Sequence, residues 1–164
     1  KHGQIEGISL RNANGFGAPM SVDAKIWQII ANDLCRQAVE KKQLTLKSHG
    51  LQFRNFIPFT DVCKAIRHCL FMPKEFISKS TFNLSSDFEV RVLDMAELIA
   101  SRCQEKLGYK PDLEVLGAKP ETVPEKFYYD SSKLRATGFL PTTSLESEID
   151  RLIEACQKWF KPTT

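Results

Sequence analysis

A chain of 164 residues, 42% hydrophobic and 26% charged, has room for one domain with a real core. Its 23 Lys and Arg against 20 Asp and Glu leave a charge of +3 spread along the chain, without the basic stripe of a nucleic-acid binder. No apolar run approaches the roughly 20 residues that span a bilayer, and polar Gly3-Gln4 after Lys1-His2 does not read as a secretory leader.

In chain order, Ile8 to Asn12 alternates as a short strand and runs into a turn-rich stretch, Asn14-Gly15-Phe16-Gly17-Ala18-Pro19. From about Asp23 to Val39, Ile26, Ile30, Leu34 and Ala38 recur at helical spacing. Leu44 to Leu46 is a short strand, ended by Ser48-His49-Gly50. Thr60 or Asp61 is placed to cap a helix with Val62, Ala65, Ile66, Cys69 and Leu70 as its apolar face. Phe82 to Leu84 is a strand. A third helix carries Val92, Met95, Ala96, Ile99, Cys103 and Leu107, with Gly108 to stop it. Leu113 and Val115 alternate as a strand. The last helix has a capping-box spacing at Thr143 and Glu146 and the stripe Leu145, Ile149, Leu152, Ile153, Cys156 and Phe160. Strands alternating with helices define an α/β chain.

The 5 cysteines are odd in number and none forms a Cys-x-x-Cys pair; with 3 histidines no metal spacing arises, and no metal is expected. Free thiols at apolar helical positions suit a reducing compartment, so the expected localisation is cytoplasmic.

Three polar segments stand out. Asn12 to Gly17 lies just past the carboxyl end of a strand, where ligands bind in open α/β sheets, although a plain turn fits equally. Gly50 to Phe56 sets Arg54 between Phe53 and Phe56; its planar fork matches a phosphate or carboxylate, and a salt bridge to an acid of the chain is the alternative. Tyr129 to Arg135 reads more simply as a helix cap. Tyr129 and Lys133 do form a Tyr-x-x-x-Lys spacing, but it is discounted as lying on a late, short helix far from any strand-end crevice. The chain has no glycine-rich dinucleotide or phosphate loop.

At these residues the chain resembles the extended short-chain dehydrogenase/reductases of the nucleotide-sugar epimerase/dehydratase group. Leu10-Arg11-Asn12-Ala13-Asn14-Gly15-Phe16-Gly17 is similar to their Leu-Arg-x-x-Asn-x-Tyr-Gly-Pro, with Phe16 in place of Tyr. Gly50 to Val62 is similar to Gly-x-Gln-x-Arg-Asp-Phe-Ile-His-Val-x-Asp-Val. Phe82 to Ser86, Leu93 to Ile99, Asp130 to Lys133, Gly138 to Pro141 and Thr143 to Glu146 follow in family order.

The resemblance implies the C-terminal part of a Rossmann-type fold: its last parallel strands plus a small mixed α/β substrate-binding subdomain. It makes residues 1–164 the substrate-binding portion. The dinucleotide-binding half, with the catalytic Tyr-x-x-x-Lys, would lie outside this sequence and hold most of the NAD or NADP. Within the chain the resemblance assigns no catalytic residue. Asn14, Arg54 and Lys119 would grip the nucleotide diphosphate, Lys119 standing where an Arg is frequent. Lys25 and Ile26, at the start of the first helix, would hold it through a helix N-terminus. Leu46 would flank the base, and Asn12 and Ala13 would lie near the nicotinamide. The implied function is substrate binding in an NAD(P)-dependent epimerase, dehydratase or reductase acting on a nucleotide sugar, with room for a homodimer of the intact enzyme. The alternative is a standalone nucleotide-sugar binding module or regulator without catalysis.

Overall fold

The computed structural model describes residues 7–77, 81–118, 120–122, 124–126 and 128–160. The elements are β1 (Ser9–Asn12), β2 (Asn14–Phe16), α1 (Ile30–Lys41), β3 (Gln43–Leu46), β4 (Phe53–Pro58), α2 (Phe59–Phe71), α3 (Lys74–Ile77), β5 (Thr81–Leu84), β6 (Glu89–Arg91), α4 (Val92–Leu107), β7 (Asp112–Val115), α5 (Ser132–Arg135) and α6 (Leu145–Trp159). β1 pairs with β5 in parallel, from Ser9↔Thr81 to Asn12↔Leu84. β2 runs parallel to β4, which is antiparallel to β6, and β3 pairs in parallel with β7. The parallel strand pairs and mixed subdomain expected from the sequence are both present.

Phe56 and Ile57, adjacent on β4, explain the layering. Successive strand residues point to opposite faces, and here both faces are covered. Phe56 joins a core built from α1, α4 and α6 around Leu34, Met95, Ile99, Ile149 and Leu152. Ile57 joins a second core of Ala65, Cys69, Phe82, Leu84, Leu134 and Phe139. Burial of one such side chain contributes about 1.5–3 kcal/mol, so β4 is fixed in depth from both sides.

Several element limits differ from the sequence reading. The first helix starts at Ile30, not near Asp23. Upstream, Trp27 Nε1 donates to the Val22 carbonyl at 2.7 Å and the ring packs edge-on to Trp159 and Phe160. These contacts hold the segment in turns while Trp27 packs against the core. Asn14–Phe16 is a strand, not a turn, because Gly15 seats it close to Phe59: a Cβ there would stand 2.8 Å from the ring. The cap of α6 is Ser144, whose hydroxyl accepts from Ser147 N, not Thr143.

α2 has no side-chain cap of its own. Glu148 of α6, itself buried, accepts from Thr60 N at 3.3 Å and Thr60 Oγ1 at 2.6 Å. Asp61 faces the other way and accepts from Thr142 N, Thr143 N and Thr143 Oγ1 at 3.1, 2.9 and 2.7 Å. Of the expected apolar face, Ala65 and Cys69 are buried, but Ile66 and Leu70 are 48% and 74% exposed. They lie on the flank of α2 that adjoins β1, and line an open apolar groove of about 440 Å³ with Ile8, Leu10, Cys69 and Ile77.

Candidate functional site

β1, β2 and β4 deliver the polar residues to one region. β1 ends at Asn12, and Ala13 N donates to the Leu84 carbonyl at 2.9 Å, so the chain leaves β1 tied to the end of β5. It turns at once into β2, where Asn14 lies opposite Phe56. Asn14 Nδ2 donates to the Asn55 carbonyl at 3.2 Å, which commits one amide hydrogen and leaves the other and Oδ1. Arg54 stands two residues before Phe56, on the exposed side of β4. Its Nη1 donates to the carbonyl of Phe53 at 3.2 Å. Among the described residues no carboxylate pairs with it. The salt-bridge alternative for Arg54 therefore has no partner there.

The other expected residues fall elsewhere. Lys25 and Ile26 lie in the turns before α1, five and four residues short of its first residue, so neither sits at a helix N-terminus as expected. Lys25 instead lines a groove of about 500 Å³ with Trp27, Gln28, Asp33, Arg36 and Lys47. Leu46 is 1% exposed with its side chain in the core, and its carbonyl accepts from Leu116 N at 2.9 Å. Its neighbours Thr45 and Lys47 reach solvent. Lys119 is outside the described residues.

Tyr129 and Lys133 are engaged at opposite ends of the β1–β5 pair. Tyr129 OH donates to the Arg11 carbonyl at 3.1 Å, near the carboxyl end of β1, whereas Lys133 Nζ donates to Thr81 O, where β5 begins. Tyr129 thus does reach the strand ends, contrary to the sequence reading, but the two side chains do not form a pair. Ser131 does not cap α5 with its side chain, bonding Ser85 Oγ at 2.8 Å instead, but Asp130 Oδ1 accepts from Ser132 N at 2.8 Å, in line with the cap reading of this segment.

Sequence reasoning missed the residues that hold the site in place. Asn32 and Asn55 are 0% and 1% exposed, and both bond backbone groups at the strand ends. Gly17 has φ +144°, and a Cβ there would overlap Glu148 Oε1. Gly17 is therefore required both by its backbone angle and by the helix packed against it. A polar residue at an otherwise apolar helix position, such as Asn32, was the available signal. Burial raises the pKa of Asp61, but bonds from Lys64, Thr143 and Thr142 outweigh it and hold the carboxyl below its ordinary value. Among the described residues no group of His, Cys, Asp and Glu is placed to hold a metal ion, and no helix is long and apolar enough to cross a membrane.

The parallel pairs and the mixed subdomain are consistent with a C-terminal part of a Rossmann-type fold. Comparison with known proteins bears out the resemblance to the extended short-chain dehydrogenase/reductases of the nucleotide-sugar epimerase/dehydratase group. No family model matches it. It is 30% identical over 105 residues to the putative GDP-L-fucose synthase 2 of Arabidopsis thaliana, a stretch covering 64% of this chain and 30% of that protein. Its fold is similar to UDP-glucuronic acid 4-epimerase from Bacillus cereus in complex with NAD, with TM-score 0.74 and 22% identity over 96% of this chain and 46% of the other. It is similar also to dTDP-glucose 4,6-dehydratase from Bacillus anthracis in complex with NAD, with TM-score 0.67 and 20% identity over 93% and 46%. The chain thus spans about half the length of these solved structures and under a third of the curated relative.

Proposed function

We propose that this chain is the substrate-gripping part of an NAD(P)-dependent enzyme that epimerises, dehydrates or reduces a nucleotide sugar, with Arg54 and Asn14 holding the diphosphate. The observation that carries the reading is an exposed guanidinium on a rigid strand, without a carboxylate partner among the described residues, beside an asparagine with free hydrogen-bonding capacity. A guanidinium fork makes two parallel charge-assisted bonds to a phosphate. Asn14 adds a neutral donor and acceptor, and together they fix where the sugar sits. Lys25, which with Lys47 lines a groove of its own, adds positive charge for the diphosphate. Asn12 and Ala13, at the end of β1, face the nicotinamide, and Lys119 joins the phosphate contacts.

When bound, NAD(P) exchanges a hydride with the sugar. The chain has no glycine-rich turn and no catalytic Tyr-Lys pair, so a dinucleotide-binding half supplies both in this reading. Two features support such a complement. Among the described residues β1 is bonded only to β5, which leaves one edge without a described strand, and the apolar flank of α2 lies on that same side. Parallel crossovers are right-handed, so a strand added at this edge and connected to β1 through a helix brings that helix beside α2, over Ile66 and Leu70. The cytoplasm and a homodimer of the complete enzyme complete the proposal.

Titration of UDP and GDP into the chain, with melting curves run alongside, tests the diphosphate grip. Weak, saturable binding is expected; Arg54→Ala should weaken it by about 2 kcal/mol, the scale of a charge-assisted bond, and Arg54→Lys should recover part. If Arg54→Ala lowers the melting temperature but leaves affinity unchanged, Arg54 is structural and the reading fails.

A further inference from the structure

Asn32 and Asn55 each close a two-bond ring with the backbone of one distant residue. Asn32, in the first turn of α1, accepts from Gly17 N at 3.2 Å and donates to Gly17 O at 2.8 Å. Asn55, on β4, accepts from Ser86 N at 3.1 Å and donates to Ser86 O at 2.9 Å. A carboxamide offers the same donor and acceptor as a peptide group. Each ring thus supplies bonds that a neighbouring strand would otherwise provide. The β2–β4 ladder ends at Phe16↔Pro58, and Gly17 is the next residue.

The two rings brace opposite ends of one short segment. Gly17 closes the carboxyl end of β2. Ser86 lies at its amino end: Ser86 Oγ donates to the carbonyl of Phe56 at 2.6 Å, and Phe56 is the partner of Asn14. Asn55 also presents its own carbonyl to Asn14 Nδ2. A buried amide is costly unless fully bonded, and leucine would fill either position as an apolar core residue. What the amide adds is a fixed orientation for Gly17 and Ser86.

We propose that Asn32 and Asn55 are positioning residues of the diphosphate site, setting the attitude of Asn14 through Gly17 and Ser86 without touching ligand themselves. The proposal rests on the reading of the site given above. Both side chains are buried, so the effect of their amides on binding travels through backbone: through Gly17 for Asn32, and through Ser86 and β4 itself for Asn55.

Asn32→Asp provides the test, because a protonated carboxyl is the isostere of the amide. Its O–H donates to Gly17 O and its carbonyl accepts from Gly17 N. Ionised, it keeps only the acceptor and sets a charge against Gly17 O. Burial raises such a pKa above the ordinary carboxylate value of about 4, so the ring should be closed at the acid end of the range and open as pH rises through the raised value. UDP is titrated into wild type and Asn32→Asp from pH 5 to 8, with folded fraction and the Gly17 amide NMR signal followed at each pH. UDP changes charge over this range, and Glu148 also faces Gly17, so the quantity read is the ratio of variant to wild-type affinity per folded molecule.

That ratio should approach one at the acid end and fall roughly tenfold or more at the alkaline end, with the Gly17 signal shifting in step. Asn55→Asp should behave alike through Ser86. If Asn32→Asp unfolds at high pH, Asn32→Ser, too short to close the ring, should bind more weakly at every pH while folded. A ratio flat with pH, or an Asn32→Ser variant that binds as wild type does, overturns the positioning role alone. Absence of UDP binding by wild type overturns the site reading and this inference with it.

Discussion

Replacing Asp61 by Ala removes the carboxylate that ties the start of α2 to the segment leading into α6. The Thr142 and Thr143 N–H groups, at 3.1 and 2.9 Å, lose their acceptor, at about 1–3 kcal/mol for each group left unpaired. Lys64 lies 2.9 Å from Asp61, but its side chain is 46% exposed, so solvent screening reduces its share to a few tenths of a kcal/mol. The expected loss is about 3–5 kcal/mol, the range for breaking a buried charge network. Because the folded carboxyl titrates below its ordinary value, its stabilisation is fully present above about pH 4 and is lost as pH falls through the folded value. Urea unfolding of wild type and Asp61→Ala at a series of pH values measures this. The gap between them should be wide at pH 7 and close progressively below about pH 4. A gap under about 1 kcal/mol at neutral pH, or one constant with pH, would refute the account.

The two sides of α2 and the core should respond in opposite ways. Leu152→Ala, at a fully buried position, should cost about 2–5 kcal/mol in urea unfolding, whereas Leu70→Ala in the chain alone should stay within about 0.5 kcal/mol; equal losses would mean that Leu70 is already covered. Ellman's reagent should modify exposed Cys63 in the native chain, while Cys103 and Cys156, pushed up to about 12 by burial, react only on unfolding; several fast native thiols would contradict the packing.

The helices of the larger core were legible because their stripes are buried where the spacing put them: Met95, Ile99 and Cys103 on α4, and Ile149, Leu152 and Cys156 on α6. The first helix was overextended because Ile26 keeps the four-residue spacing from Ile30 although the backbone there runs in turns and it is Trp27 that packs on the core. Asn14–Phe16 was read as a turn from its glycine and asparagine, and only the approach of Phe59 makes glycine a strand residue there. Arg54 and Asn14 stand as candidates on a resemblance, since spacing alone left a salt bridge or a plain turn open. Asn32 escaped notice because its partner is 15 residues away at a strand end. The caps on α2 were assigned locally to Thr60 or Asp61, but burial of both helix ends lets Glu148 serve one and turns Asp61 toward the other.

The bond from Thr60 to Glu148 spans 88 residues, and this long reach sets a schedule for folding. Chain growth at roughly 5–20 residues per second puts about 4–18 s between the synthesis of Thr60 and of Glu148. Until α6 docks, Thr60 N lacks the acceptor that Glu148 supplies and Gly17 has no carboxylate packed on it, although Asn32 and Asn55 already brace the ends of the strand carrying Asn14. Contacts this distant in sequence are also the slow ones to close. The Asn14 segment is therefore made early and receives its last contact late, whereas the Ile66–Leu70 flank of α2 is open both before and after α6 docks.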